Sequence, residues 1–589
     1  MTQGCAQRPL IIFGMPPAWI VWSAVIISGT FATQVLAQVR PDAGSTLQQP
    51  APRVEPAETR PLLPRITPEP VAPSDSTLRV DVKRFNFSGN TQISSELLAA
   101  QLANLVNREV GINDLRAATE RIRDYYRGMG FFLAQAYLPR QQITDGVVEV
   151  AILEGRLGAL IVKKDPKVRI RDTFLQGILD AHVAKGSLLD ERGLERPLLI
   201  IDGLPTARAG AALVPGAQTG NADIEVEVRP TPHGWLERHT NGALSGVIDA
   251  DNHGNRFTGE YRLGVTLQAA SLTGYGDVLA ARFQKANESR SDLTRLSWTT
   301  PVGYYGTIFG IGYTRFDYGL TKNFAPLLAD GDGQTANVYL SHPLLRTRPI
   351  NLHVRAGYER KWLEDRAAAT GFVDKRTVRN VFAGMNMDSR DSWGLSAANI
   401  THTRGNISLD TPEILTANVG VGGLGVNGAF YRTNFDAQRM QRIGAGFSLF
   451  GAVSGQFAGK NMSSSEKFSV GGPNAVRAFP VGEGAGDEGY LGSLELRYSH
   501  AVLKLGPAAM GLAAFYDHGH VRLNKDPANG GALLNNGRVI GGGGFGVNIG
   551  SEGNFLLRTS VAWRSSGGVP RSDTAARTPR VWIQAMQWF

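Results

Sequence analysis

In "TGEYRLGVTLQ", residues 258–268, Tyr261, Leu263, Val265 and Leu267 share one face of an extended chain, and Glu260, Arg262, Thr266 and Gln268 share the other. Side chains of a strand alternate between faces, so this spacing predicts a strand with one apolar and one polar side. The pattern returns in "NLHVRAGYERK" (351–361), where Leu352, Val354, Ala356 and Tyr358 oppose His353, Arg355, Glu359 and Lys361, and in "LELRYS" (494–499). From about residue 235 to the end the alternation recurs and no helical period is convincing. Some 355 residues of such segments exceed one sandwich. At about 22 residues per strand and loop they predict an antiparallel transmembrane β-barrel of roughly sixteen strands. Closure satisfies every backbone group in lipid, which an open sheet cannot do. The closing "VWIQAMQWF" suits an interfacial aromatic girdle.

Residues 78–230 follow another rhythm. "VDVKRFNFSGN" alternates as a strand, "ISSELLAAQLANLV" and "INDLRAATERIRDYYRGMG" carry apolar residues at helical spacing, and "FFLAQAYLP" and "GVVEVAILEG" return to strands. The order β-α-α-β-β predicts a small α+β module over 78–155. A second unit over 156–230 repeats it: strand "LGALIV", helices "IRDTFLQGILDAHV" and "ERGLERPLLIIDGL", then strands "ARAGAALVPG" and "ADIEVEV". Ahead of both, residues 38–77 form a proline-rich linker, extended and semi-rigid.

The amino-terminal 37 residues read as an export signal. Arg8 precedes the apolar "AWIVWSAVIIS", and "VLAQ" offers small residues for cleavage after Ala37; a membrane anchor is the other reading. The one cysteine, Cys5, lies in this segment, which removes disulfides and cysteine metal sites from the mature chain. The net charge of +9 invites a nucleic-acid partner, but the Lys and Arg are spread along the chain rather than gathered in a stripe. The 70 glycines sit inside alternating segments, as in "GGGGFGVNIG" (541–550), which points to close strand packing rather than a phosphate loop. His518 and His520 form an H-x-H pair with no carboxylate or cysteine set nearby, so no metal or other cofactor is expected. No G-x-S-x-G elbow occurs, and no catalytic constellation marks an enzyme.

One stretch resists this bland reading. "SEKFSVGGPNAVRAFP" (465–480) is rich in small residues yet carries Arg477 between Val476 and Phe479. Together with "LPTARAGAALVPG" (204–216), "DNHGNRFTGEYR" (251–262) and "FYDHG" (515–519), in that order along the chain, it resembles the haemolysin secretion/activation proteins. These are the two-partner (type V) secretion transporters of Gram-negative outer membranes, related to the barrel-assembly insertases. The resemblance covers about 78–589. It implies two periplasmic polypeptide-transport-associated (POTRA) modules, an integral barrel at 235–589, and an extracellular loop around 471–490 folded into the lumen. It also implies an anchor. The arginine of a Val-Arg-Gly-Tyr type motif, here Val476, Arg477, Ala478 and Phe479, pairs with the aspartate of a Phe-x-Asp-x-Gly motif, here Phe515, Asp517 and Gly519. A loop in a narrow lumen loses entropy, and one charge-assisted, bidentate pair can fix it.

Two positions depart from the family: Ala478 stands where it carries Gly, and Gln587 stands third from the end, where an apolar residue is usual. A family plug segment, sought in "PDAGSTLQQP", would be brief. The partners implied are a large secreted exoprotein (adhesin, haemolysin or contact-dependent toxin), outer-membrane lipid, and the barrel-assembly machinery during biogenesis. An assembly insertase is the alternative, and a passive porin a third reading that has no need of the periplasmic arm. Substrate capture is expected by strand addition at an open sheet edge. The candidate strand is Ile224 to Val228, with Ile224, Val226 and Val228 toward the module core and Glu225 and Glu227 toward water.

Overall fold

The computed structural model describes residues 41–47 and 79–589, apart from 132, 189–190, 217–220, 231–234, 241, 289–290, 529–534, 552, 574 and 576. The expected signal at 1–37 and most of the proline-rich stretch lie outside the described residues.

The first module departs from the expected β-α-α-β-β: "VDVKRFNFSGN" splits in two, and a further strand, Arg108–Gly111, falls between the helices. Arg79–Val82 pairs with Arg108–Gly111 in a separate two-stranded sheet, whereas Arg84–Ser88 pairs in parallel with Val147–Leu153, which Gln135–Tyr137 joins on its other side. The break falls at Lys83, whose N–H donates to the Gly146 carbonyl at 2.8 Å. Helices Ser95–Gln101 and Ile112–Gly128 cover the sheet through Leu98, Leu115 and Ile122, all buried. Ser94 caps the first by accepting from the Leu97 N–H.

In the second module, helices Asp172–His182 and Glu191–Asp202 pack on a sheet ordered Arg156–Lys164, Asn221–Pro230, Ala207–Pro215. Ile224, Val226 and Val228 are buried in its core as the alternation predicts. Their strand is central, however, paired in parallel on one side and antiparallel on the other. The candidate capture strand Ile224–Val228, whose place in the sheet the alternation left open, is therefore not at an edge, which corrects its choice as the site of strand addition. Sequence alternation reports which face is buried; it carries no information on lateral neighbours. Among the described residues, each edge strand, Arg156–Lys164 and Ala207–Pro215, pairs with one strand, and Arg156 is also bridged to Leu188. Leu133 of the first module is buried in the second module's core, beneath Gly155, where a Cβ would stand 2.5 Å from the Leu133 Cβ.

Sixteen antiparallel strands, from Leu244–Asp251 to Arg580–Trp588, close into a barrel in sequence order. The predicted faces hold: Tyr261, Leu263 and Leu267 are exposed on the outside. Toward the lumen, Arg262 meets Asp251 at 2.8 Å and Arg282 meets Asp249 at 2.6 Å. The last strand meets the first over five pairs, Gln584–Asp251 to Trp588–Val247. Asn252 continues the seam with its side chain, donating to the Val581 carbonyl at 2.9 Å and accepting from the Ile583 N–H at 2.8 Å. The departure at Gln587 is accommodated at this end, where its amide donates to Asn554 Oδ1 at 2.8 Å. Two short helices interrupt the expected all-strand region: Trp235–His239 leads into the first strand, and Pro412–Val419 lies in a loop between strands.

The arm is fastened to the barrel mouth. Arg171 donates to Tyr275 Oη at 3.0 Å and lies over that ring, and the Tyr304 ring occupies the space a side chain at Gly177 would need. Arg196 donates to the Pro343 carbonyl at 2.7 Å, and Glu195 pairs with Arg348 at 3.3 Å. The turns at 271–277, 303–306 and 343–349 thus form a cradle for the second module's helices.

Inside the first module, Glu154 is buried, which disfavours its charge. Hydrogen bonds from the Thr91 hydroxyl and N–H, the Gln92 N–H (2.8 Å) and Tyr126 Oη (3.0 Å) outweigh that penalty and hold its carboxyl below the usual carboxylate range. A depressed folded pKa contributes stability above the unfolded value, here 4.5, and loses it as pH falls through the folded value. In a fragment spanning 79–230, Glu154→Gln should lower stability by roughly 1–3 kcal/mol at pH 7. It should also flatten the acid limb below about pH 4.5, as read by urea melts followed by circular dichroism.

Candidate functional site

The segment between strands Phe447–Ala458 and Glu488–Leu505 runs from 459 to 487, longer at its start than the expected 471–490, and folds back into the lumen. Phe468–Ser469 pairs with Ala485–Gly486 to make a neck. Beyond it, the Val476 N–H donates to the Val470 carbonyl at 2.9 Å and the Phe479 N–H to the Val476 carbonyl at 3.0 Å, which tightens the tip. Gly472 (φ +130°) and Gly484 (φ +63°) supply the backbone angles this fold-back needs. Val470, Val476, Ala478 and Phe479 are buried against Phe515, Leu491, Val521 and Ile540 of the wall.

The wall strand Ala508–Arg522 turns Phe515, Asp517, Gly519 and Val521 inward, because side chains two apart share a face. Arg477 Nε donates to Asp517 Oδ2 and Nη2 to Oδ1, both at 2.8 Å. The Arg477 N–H adds a third bond to Asp517 at 3.1 Å, and the guanidinium lies 3.3 Å from the Phe515 ring centroid. The planar fork suits both partners at once: two parallel bonds to a carboxylate and a flat face on an aromatic ring. Each residue of the expected constellation is therefore brought together here.

Gly519 and the 541–546 glycines explain the close approach. A Cβ at Gly519 would stand 2.8 Å from Val470 Cβ, and one at Gly542 only 2.4 Å from Ala478 Cβ. Ala478 itself does not adopt a positive φ, so its methyl imposes no backbone strain, and the bare Gly542 receives it. The departure from the family glycine is absorbed by the wall.

Several residues escaped the sequence reading. Glu495 meets Arg477 at 2.8 Å and Arg497 at 2.8 Å, which balances two cations against two carboxylates. Ser493 Oγ donates to Asp517 Oδ1 at 2.7 Å, and Trp582 Nε1 donates to the Arg477 carbonyl at 2.7 Å. Ser493, Glu495 and Arg497 lie on the polar face of a strand whose alternation was legible, so pairing that face with the Asp517 strand would have found them. Two further anchors hold the loop to the wall: Glu466 meets Lys361 at 2.8 Å and Arg432 at 3.1 Å, and Glu483 meets Arg538 at 2.6 Å. Within the loop, Lys467 meets Asp487 at 2.6 Å. A second element shares the lumen: the helical turn Ala43–Leu47, with Ala43 buried beside Phe257, Tyr318 and Leu363.

The lumen chemistry is dominated by ion pairs between wall and loop. Among the described residues no group of three or more His, Cys, Asp or Glu is placed to hold a metal. His518 and His520 alternate with the lumen-facing residues and pack near Tyr490 on the opposite face.

Comparison with known proteins agrees with this architecture. Residues 235–549 match the family described as haemolysin secretion/activation protein ShlB/FhaC/HecB, and residues 80–155 match the ShlB-type POTRA domain. The heme/hemopexin transporter protein HuxB of Haemophilus influenzae is 25% identical over 97% of this chain and 99% of its own length. The outer membrane transporter CdiB of Dickeya dadantii is 22% identical over 82% of each chain. In three dimensions the fold is that of CdiB from Escherichia coli (TM-score 0.66, 20% identity, 93% of this chain and 95% of that one). It is shared with CdiB from Acinetobacter baumannii (TM-score 0.58, 16% identity, 92% and 95%). A pinned lumen loop, a sixteen-strand barrel and a POTRA arm, on a chain whose larger part matches the family, place it among the haemolysin secretion/activation proteins, outer-membrane translocators of two-partner secretion.

Proposed function

We propose that the arm takes up an unfolded exoprotein by strand addition, and that the lumen conducts it past a loop held in place by Arg477 and Asp517. The observation that carries this reading is the bidentate seat of Arg477 on Asp517, with Glu495 and the Phe515 ring beside it. A loop held this firmly serves as part of the conduit wall. Family membership favours export over the insertase and solute-channel alternatives. The relatives are named for heme/hemopexin transport and as outer membrane transporters, which supports a large secreted protein as the substrate class. Directionality would come from folding of the exported chain outside the cell.

Capture belongs to an edge strand. Ala207–Pro215 spans nine residues and, among the described residues, pairs with a strand on one side only, so its outer backbone groups can template an incoming strand. With a substrate arrested in transit, cysteines at Gly210 and Ala212 should cross-link strongly and cysteines at Glu225 or Glu227 weakly. Cross-links confined to the helices would sink the model.

Arg477→Ala and Asp517→Ala should each stop secretion while the barrel stays in the outer membrane, as seen by immunoblotting of medium and membrane fractions. Breaking a buried pair costs about 3–5 kcal/mol, less in a wet lumen. Arg477→Ala should be the harsher change, because it leaves Asp517 without its cation and Glu495 with Arg497 alone. The double variant should be no worse than Arg477→Ala, since both side chains act through one contact.

Gly542→Val tests the seat without touching a charge. Its side chain would collide with Ala478 and with the Trp563 carbonyl, 2.5 Å from the added Cβ. Residues 471–487 should become cleavable by protease added to intact cells, with the barrel still resistant to detergent below its heat-denaturation temperature.

A further inference from the structure

The turn 42–47 and the base of the lumen loop meet at one arginine. Arg376, inward on strand Phe372–Arg390 and almost wholly buried, donates through Nη1 to Ser463 Oγ at 3.2 Å and Ser464 Oγ at 3.1 Å. Its Nη2 bonds Asp365 and lies 3.5 Å from Asp42, while Nε stands 3.4 Å from Asp374. Asp365 in turn accepts from the Ala43 N–H at 2.8 Å. One side of the guanidinium thus serves the loop and the other serves the turn. The two segments also touch directly: a Cβ on Gly44 would stand 2.2 Å from Ser464 Oγ and 2.4 Å from Ser465 N.

The charges around Arg376 are uneven. Three carboxylates, Asp42, Asp365 and Asp374, face one guanidinium. Asp365 and Asp374 sit on wall strands and stay whatever the turn does; Asp42 is the added charge, at the longest of the three distances. The turn's attachment through Asp42 therefore depends on the guanidinium being aimed toward it. The two serine hydroxyls of the loop base fix that aim, because hydrogen bonds from Nη1 leave Nη2 directed at the acids.

We infer that Arg376 is a positioning residue shared by the two segments that fill the lumen, so that the loop base at Ser463–Ser464 sets how firmly the turn 42–47 is held. Binding free energies coupled through one group are reciprocal: loosening the loop side loosens the turn, though the loop side is distant from Asp42 in sequence. This goes beyond the export reading, and its test involves no substrate, so failure of either leaves the other standing.

The readout is the rate at which a maleimide labels Ala43→Cys in the purified full-length chain, with the parent carrying Ala43 as the blank. Ala43 is buried, so labelling reports the unseated turn. Ser463→Ala removes a hydroxyl bonded to Arg376 and should raise the rate roughly tenfold, equivalent to about 1.4 kcal/mol. Arg376→Ala should raise it further, Arg376→Lys should fall between, and Ser463→Ala should add nothing in the Arg376→Ala background. Glu483→Gln, which weakens the loop at another anchor, should leave the rate unchanged. An unchanged rate in Ser463→Ala overturns the inference, as does a full additional factor on top of Arg376→Ala. A rise with Glu483→Gln equal to that with Ser463→Ala also overturns it, because the loop as a whole would then carry the coupling. Should Arg376→Ala fail to assemble, the comparison of Ser463→Ala with Glu483→Gln decides alone.

Discussion

Hydrocarbon leaves a sheet no outside partner for its backbone and no outside home for its charges. Closure of sixteen strands answers the first demand, and inward orientation of every second side chain answers the second. The lumen consequently inherits a dense population of Arg, Lys, Asp and Glu that must neutralise one another in confined space. Arg262 with Asp251, Arg282 with Asp249 and Lys361 with Glu466 are products of that confinement, as is the Arg477 constellation. The loop is held because the wall already needed counter-charges. By supplying Arg477, Glu466 and Glu483 it completes pairs that the strands leave half-made.

The seating is distributed unequally. The loop is pinned near its base, at its tip and on its return, by contacts that combine ion pairing with hydrogen bonds. The turn 42–47 depends on a backbone bond to Asp365, a longer approach to Arg376 and the burial of Ala43. Since leaving one partner of a buried pair unmatched is expensive, the element with fewer unmatched consequences is the one that can depart at low cost.

Much of this was legible in the residues. Period-2 alternation carried the barrel and its strand number, because lipid on one side and a polar lumen on the other impose a two-fold pattern at every strand. The Arg477–Asp517 pair was legible as two motifs, one on a loop and one on a strand. Lateral relations were not. Ile224 to Val228 showed its buried face plainly and still proved central, since the parallel partner at 156–164 lies some sixty residues away. Helix Pro412–Val419 is too short, and its apolar residues too scattered, to register against the surrounding strands. Arg376 and Glu495 are lumen charges among many on alternating strands, and only the folded-back loop brings Ser464 to the first and Arg477 to the second. Ala478 read as a departure at its own position, whereas its accommodation resides at Gly542, far along the chain.

Leu133 reaches across the junction between the POTRA modules and is buried in the core of the second, with Gly155 cleared to admit it. Two domains joined through a shared core residue are coupled more closely than domains on a flexible tether. A load applied to the first module is therefore passed on to the second. The second module's helices are clasped by Tyr275, Tyr304 and Pro343 at the mouth. Mechanical load applied some distance below the membrane is thus delivered to the rim of the pore, and the arm acts as a lever with the barrel's periplasmic turns as its fulcrum.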